Sequence, residues 1–121
     1  MTAKDDSSFA FAFKSWVNNE VYSDLSIEAG KKSFYAHRVI VFARCPRLRA
    51  MYHMTNRFVW QNKAYGVLRL PYDPALVLGV LHYLYTDHLK IAPHWALRLS
   101  DLARRLGLPR LEHLAVQFAK L

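Results

Sequence analysis

Tyr22-Ser23-Asp24-Leu25-Ser26-Ile27 and Ser33-Phe34-Tyr35-Ala36-His37-Arg38, joined through Gly30-Lys31, decide how this chain folds. Leu25, Ile27 and Ala29 alternate with Ser26 and Glu28, the pattern of a half-buried strand. Gly30-Lys31 supplies a turn, and Lys32 to Ala36 reads as the returning strand of a hairpin. From His37 the spacing becomes helical and runs to Arg44. Cys45-Pro46 closes that helix, because a residue before proline avoids the helical region. Pro46 opens a second helix, to about His53, since its missing N–H would be unpaired there anyway. Leu48, Met51 and Tyr52 share one face of it.

Downstream, Thr55 to Tyr65 has loop-like polar residues around Phe58, Val59 and Trp60. Gly66 precedes a short strand, Val67-Leu68-Arg69-Leu70. Asp73-Pro74 is a helix start, an N-cap oxygen followed by proline at the first helical position. Leu76, Val77, Val80, Leu81, Leu84 and Tyr85 then form a stripe wide enough to predict a substantially buried helix. Pro93 opens the next helix, with Trp95, Leu99, Leu102, Ala103 and Leu106 inward. Gly107 caps its C-terminus. Pro109 begins a last helix that buries Leu111, Leu114, Ala115 and Phe118. The order is two strands, two helices, a strand and three helices, an α+β arrangement.

Upstream lie five large apolar side chains: Phe9, Phe11, Phe13, Trp16 and Val17. Phe9 to Phe13 alternates with period two and predicts a short strand; from Phe13 the spacing turns helical. These groups need cover, from this chain's own core or from a second copy.

A chain of 121 residues, 53% of them hydrophobic, suffices for one domain and one core. Residues 1–8 are expected to be a flexible N-terminus and residues 9–121 a single domain. No apolar run reaches the roughly 20 residues that span a bilayer, and Met1 to Asp6 lacks the form of a signal peptide. The single cysteine, Cys45, forms no internal disulfide, which suits the cytoplasm or nucleus. The net charge is +8. Between Glu28 and Asp73 there is no acidic residue, while Lys31, Lys32, Arg38, Arg44, Arg47, Arg49, Arg57, Lys63 and Arg69 are basic. The 29–72 interval is therefore either a solvated basic face or a surface for nucleic acid or another acidic partner.

Read together with Leu84-Tyr85-Thr86-Asp87, the opening stretches resemble the BTB/POZ domain from roughly Phe13 to Leu121. Ser23-Asp24-Leu25 looks like the family's Ser-Asp-hydrophobic strand, and Ala36-His37-Arg38 like its Ala-His-Arg junction. Phe42-Ala43-Arg44-Cys45-Pro46 through Arg49-Ala50-Met51-Tyr52 resembles its helix pair, and Gly107-Leu108 through Leu114 its closing helix. Each motif is short; their order carries the resemblance. It implies a small mixed sheet flanked by five to six helices and a protein-interaction module without catalytic chemistry or cofactor.

The resemblance further implies a homodimer, possible through strand exchange, with Phe9, Phe11, Phe13, Trp16, Val17, Asp24, Arg38, Val39 and Phe42 at the interface. Burying five such rings and side chains at about 25 cal/mol per Å2 would contribute several kcal/mol before association costs. In the family, Asp24 and Arg38 correspond to a charged interface pocket. Here they are either a docking pocket for a corepressor-type peptide or a buried ion pair that fixes register. Adaptors that deliver substrates to a cullin scaffold of ubiquitin ligases carry a hydrophobic-x-Glu triplet after the second helix. Asn56-Arg57-Phe58 stands there instead, so a cullin or partner surface would rest on Met54, Asn56, Arg57, Phe58 and Tyr85. A role in transcriptional regulation is the other implication.

Other chemistries find little support. His82, His88 and His94 are six apart, which does not align them on a helix, and zinc needs four donors. His37 reads as a core histidine bonded to backbone. Arg44 and Arg47 flank Cys45 and would favour its thiolate, but no base or oxyanion motif accompanies it. Four scattered glycines make no phosphate loop. The expectation is no enzyme, no metal, no small-molecule substrate and no membrane.

Overall fold

A computed structural model describes residues 13–56 and 66–121, excepting the side chain of Asn56. Three strands form one sheet in the order β2-β1-β3. The hairpin is β1 (Leu25–Ala29) and β2 (Lys32–Ala36), antiparallel, with Leu25 opposite Ala36 and Ala29 opposite Lys32. Gly30 adopts φ +60° at the turn, where a side chain would be strained. β3 (Gly66–Leu70) lies parallel on the other side of β1, Leu25 beside Gly66 and Ala29 beside Leu70. A parallel neighbour needs a crossover, and the two helices between β2 and β3 belong to it. The sheet is thus mixed, as expected.

Period-two alternation decides which face of the sheet is covered. Leu25, Ile27, Ala29, Phe34, Ala36, Leu68 and Leu70 are buried, while Ser33, Tyr35, Val67 and Arg69 point outward. The helices are α1 (Arg38–Arg44), α2 (Pro46–Asn56), α3 (Pro74–Thr86), α4 (Ala96–Arg105) and α5 (Pro109–Ala119), with a 3-10 turn at Pro93–Trp95. α3 is apolar nearly all round: its six expected stripe residues are buried, and so are Gly79 and Tyr83. It therefore sits in the middle of the molecule. Its Asp73 cap accepts from the Ala75 amide at 3.0 Å, and Pro74 holds the first position.

Boundaries moved in four places. His37 is the cap of α1 rather than its first helical residue. α2 runs on to Asn56, a turn beyond His53, and β3 begins at Gly66 rather than Val67. Pro93 opens a 3-10 turn instead of the α-helix, which starts at Ala96. At Gly107, φ is +70°, and the Gly107 and Leu108 amides donate back to the Arg104 and Ala103 carbonyls. This is the left-handed exit a C-terminal glycine permits. Arg47 reaches the same helix end from α2, bonding the Arg105 carbonyl, so α2 also finishes α4.

Candidate functional site

Val21, Tyr22, Tyr35 and Val39 are exposed apolar side chains near the N-terminal turn in sequence or on the strand it is tied to. The chain from Phe13 turns back at Asn18 and Tyr22, both with positive φ, 51° and 59°. Asn18 Oδ1 accepts from the Tyr35 amide at 2.8 Å and so ties this turn to the edge of β2. Asn19 closes it locally, donating to the Ser15 carbonyl at 2.8 Å and accepting from the Val21 amide at 2.9 Å. A left-handed backbone is uncommon for a tyrosine and costs energy; here it stacks the Tyr22 ring on Trp16, centroids 5.7 Å apart. Tyr22 is 82% exposed and Val21 52%. Val39, in the first turn of α1, is 77% exposed, and Tyr35 on β2 is 43% exposed.

Against this turn lies His37, only 4% exposed. Its Nε2 is 2.8 Å from the Val21 carbonyl, an acceptor, so Nε2 carries the proton. Nδ1 then accepts from the Tyr85 hydroxyl at 2.7 Å, while that oxygen accepts from the His37 amide at 2.9 Å. Trp16 meets the His37 ring edge-on at 5.2 Å. One buried imidazole therefore joins the central helix α3 to the turn that carries Val21 and Tyr22. The core histidine bonded to backbone is what the sequence suggested. Burial pushes the Tyr85 phenol well above its ordinary pKa, so it remains a donor.

Asp24 and Arg38 are neighbours, but not as an ion pair. Asp24 Oδ1 accepts from the backbone amide of Arg38 at 2.8 Å. The His37 side chain is engaged elsewhere and caps nothing, so a carboxylate from the start of β1 satisfies this orphan donor of α1. The Arg38 guanidinium turns away, donating to the Tyr52 hydroxyl at 3.0 Å and lying 5.3 Å over its ring. Gly66 makes room for this pair: a Cβ there would fall 2.2 Å from Tyr52 Oη and 2.5 Å from Arg38 Nη2. The register tie survives from the expected ion pair; the charge pairing does not.

The remaining expected residues divide. Trp16 and Val17 are half-buried against this chain's own core, as is Phe42, whose ring lies 5.2 Å from Tyr52. Phe13 is half-buried; Phe9 and Phe11 lie outside the described residues. Met54 is 70% exposed in the last turn of α2, whereas Arg57, Phe58 and the Asn56 side chain lie outside the description. Tyr85 was expected on a partner surface and is instead buried, 4% exposed, because His37 claims its hydroxyl. Sequence reasoning missed Val21, Tyr22 and Tyr35. Their apolarity was visible; the positive φ that exposes Tyr22 was not.

Three arginines of the basic interval are engaged within the fold. Arg44 pairs with Asp87 and bonds the Leu84 carbonyl, Arg47 caps α4, and Arg69 pairs with Glu28. The Cys45 thiol is buried, which raises its pKa and opposes the thiolate its arginine neighbours would favour. Among the described residues no cluster of histidine, cysteine and carboxylate side chains suits a metal. None of their helices is long and apolar enough to cross a membrane.

Among the described residues the architecture is a small mixed sheet with five α-helices, and exposed apolar side chains stand at its N-terminal turn. The chain belongs to the BTB/POZ domain family, whose model matches residues 13–120. It is 31% identical over 116 residues to BTB/POZ domain-containing protein 19 of Bos taurus, covering 91% of this chain and 38% of that one. It is 32% identical to human structure-specific endonuclease subunit SLX4, over 87% of this chain and 6% of that protein. Human Kelch-like protein 40 is 29% identical over 87% of this chain and 16% of its own length. The chain thus spans well under half of these relatives. Among solved structures, the BTB domain of human gigaxonin has the same fold, with TM-score 0.72 and 16% identity over 95% of this chain and 91% of that one. The BTB domain of zebrafish PATZ1 gives TM-score 0.66 at 15% identity, over 98% and 91% respectively. BTB/POZ domains are protein–protein interaction modules and generally not enzymes.

Proposed function

We propose that this domain pairs with a second copy of itself through the face built from Trp16, Val21, Tyr22, Tyr35 and Val39. The observation that carries this reading is Tyr22, an aromatic ring held 82% exposed by a backbone conformation that tyrosine avoids. Exposed apolar groups scattered singly mean little, but Val21 and Trp16 both meet one buried histidine, and Tyr22 stacks on Trp16. A two-fold axis through such a face would make it self-complementary. Phe9, Phe11 and Phe13, just before it in sequence, would extend the interface, with or without strand exchange. Sedimentation velocity or light scattering at micromolar concentration tests it: a dimer mass is expected, and a monomer would end the proposal.

A second reading, a cullin-docking adaptor, has one observation in its favour. Met54 offers a 70% exposed apolar side chain in the last turn of α2, two residues before Asn56-Arg57-Phe58, which stand where the family's adaptors carry their triplet. Isothermal titration with the N-terminal domain of a cullin is the test, and absence of heat at tens of micromolar would dispose of it. A nucleic-acid role is the weaker alternative, because Arg44, Arg47 and Arg69 are engaged within the fold.

A further inference from the structure

On the other side of the N-terminal turn, between α3 and the segment from Lys90 to Trp95, runs a groove of about 690 Å3. Its volume falls in the range of small-molecule sites, roughly 300–1,000 Å3. Val17, Leu78, Ile91 and Trp95 give it apolar walls. Gly79 lets the segment close on α3, for a Cβ there would meet Ile91 Cδ1 at 3.1 Å. Its charged lining is of one sign: Lys14 and Lys90 stand at its margins, and among the described residues no carboxylate lines it. Neither lysine forms an ion pair within the described residues, and the Arg98 guanidinium lies 5.3 Å over the Trp95 ring at the far end.

His82 completes the lining. Its Nδ1 faces the His88 carbonyl at 3.4 Å and the Thr86 hydroxyl at 3.2 Å. That hydroxyl already donates to the His82 carbonyl at 2.7 Å, so Nδ1 carries the ring proton. Nε2 is left as a buried lone pair with no hydrogen-bond partner among the described residues. Burial first, then the charges of Lys90, Lys14 and His88, disfavour the imidazolium, opposed only by the bond to the His88 carbonyl. A negative charge between the two lysines would offset their share of that opposition, while the burial, its largest cause, would remain.

We propose that this groove binds a small apolar carboxylate, its anion held between Lys14 and Lys90 and its hydrocarbon body against Leu78, Ile91 and Trp95. The charge complementarity selects the anion; the walls select the body. Lys14 and Val17 line the groove while Trp16 turns to His37 and Tyr22.

The test is a titration of the isotope-labelled full chain, followed by amide and side-chain NMR shifts, with 4-phenylbutyrate and with 4-phenylbutan-1-ol. The carboxylate should bind at least about fivefold tighter than the alcohol, the scale of two exposed ion pairs. Shifts should centre on Leu78, His82, Ile91 and Trp95. The variant K14A/K90A, altered only at exposed positions, should remove the preference. Equal affinity for the two probes, shifts centred elsewhere, or a preference that survives K14A/K90A would overturn the proposal. Intermolecular contacts from a second copy's Phe9 or Phe11 to Leu78 or Trp95 would do so too, by showing that protein fills the groove.

Discussion

Tyr85 and His37, from opposite ends of the reading, meet through two hydrogen bonds on one phenolic oxygen. Replacing Tyr85 with Phe leaves the His37 amide and Nδ1 without partners in a site closed to water. The expected cost is about 1–3 kcal/mol in urea denaturation, and a variant of unchanged stability would refute the role. The same phenol sets a basic limit. Its pKa is raised in the folded state, so its contribution is whole below pH 10, its ordinary value, and is lost as pH climbs beyond it. Tyr85→Phe should flatten that alkaline loss. His82 works in the opposite direction. Its pKa is lowered by folding, so the unfolded chain takes up the proton first and stability falls as pH drops through about 6.5, its ordinary value. His82→Gln should lessen the acid-side decline in thermal scans from pH 7.5 to 5, and an unchanged decline would refute this.

At the level of elements, α1 is capped from β1, its amide at Arg38 satisfied by the Asp24 carboxylate. Asp24→Ala should cost about 0.5–2 kcal/mol, the range for losing a helix cap. Because the bond is to backbone, removing the Arg38 side chain leaves it intact. A double-mutant cycle of Asp24→Ala with Arg38→Met should therefore give a coupling below about 0.5 kcal/mol, and a larger coupling would restore the ion pair. The elements themselves were readable because their periods and punctuation agree: alternation in β1, Asp73-Pro74 before α3, Gly107 after α4. The Asp24–Arg38 tie was anticipated as a meeting of two residues, yet with the wrong atoms. Opposite charges suggest a pair, whereas an unsatisfied helix amide was the stronger claimant. Gly66 looked like a strand boundary; only the packed guanidinium and phenol above it explain why no side chain fits.

For the whole molecule the decisive question is what covers the face at Tyr22 and Val39. Val39→Asp should shift the sedimentation profile from dimer towards monomer while leaving circular dichroism unchanged, because Val39 is 77% exposed and supports no core. Tyr22→Asp should do the same, and loss of helical signal in either variant would mean that the face serves folding instead. Trp16 and Val17 belong partly to both roles, half-buried on this chain's core and bordering the exposed face. Large-to-small changes there would confound the two.

The amino-acid order alone determined β1 to β3, α1 to α5, their sequence and the family, because those depend on local periodicity, turn residues and short motifs within one segment; the strand expected over 9–13 lies almost wholly outside the described residues. Three-dimensional packing decided the partners of the polar groups: His37 with Tyr85 and Val21, Asp24 with an amide, Arg38 with Tyr52. Such choices are competitions among donors and acceptors that lie far apart in the chain and meet only when it is folded. The same holds for exposure. A tyrosine's greasiness is written in its side chain, but whether water or protein touches it is settled by the backbone angles and neighbours that surround it.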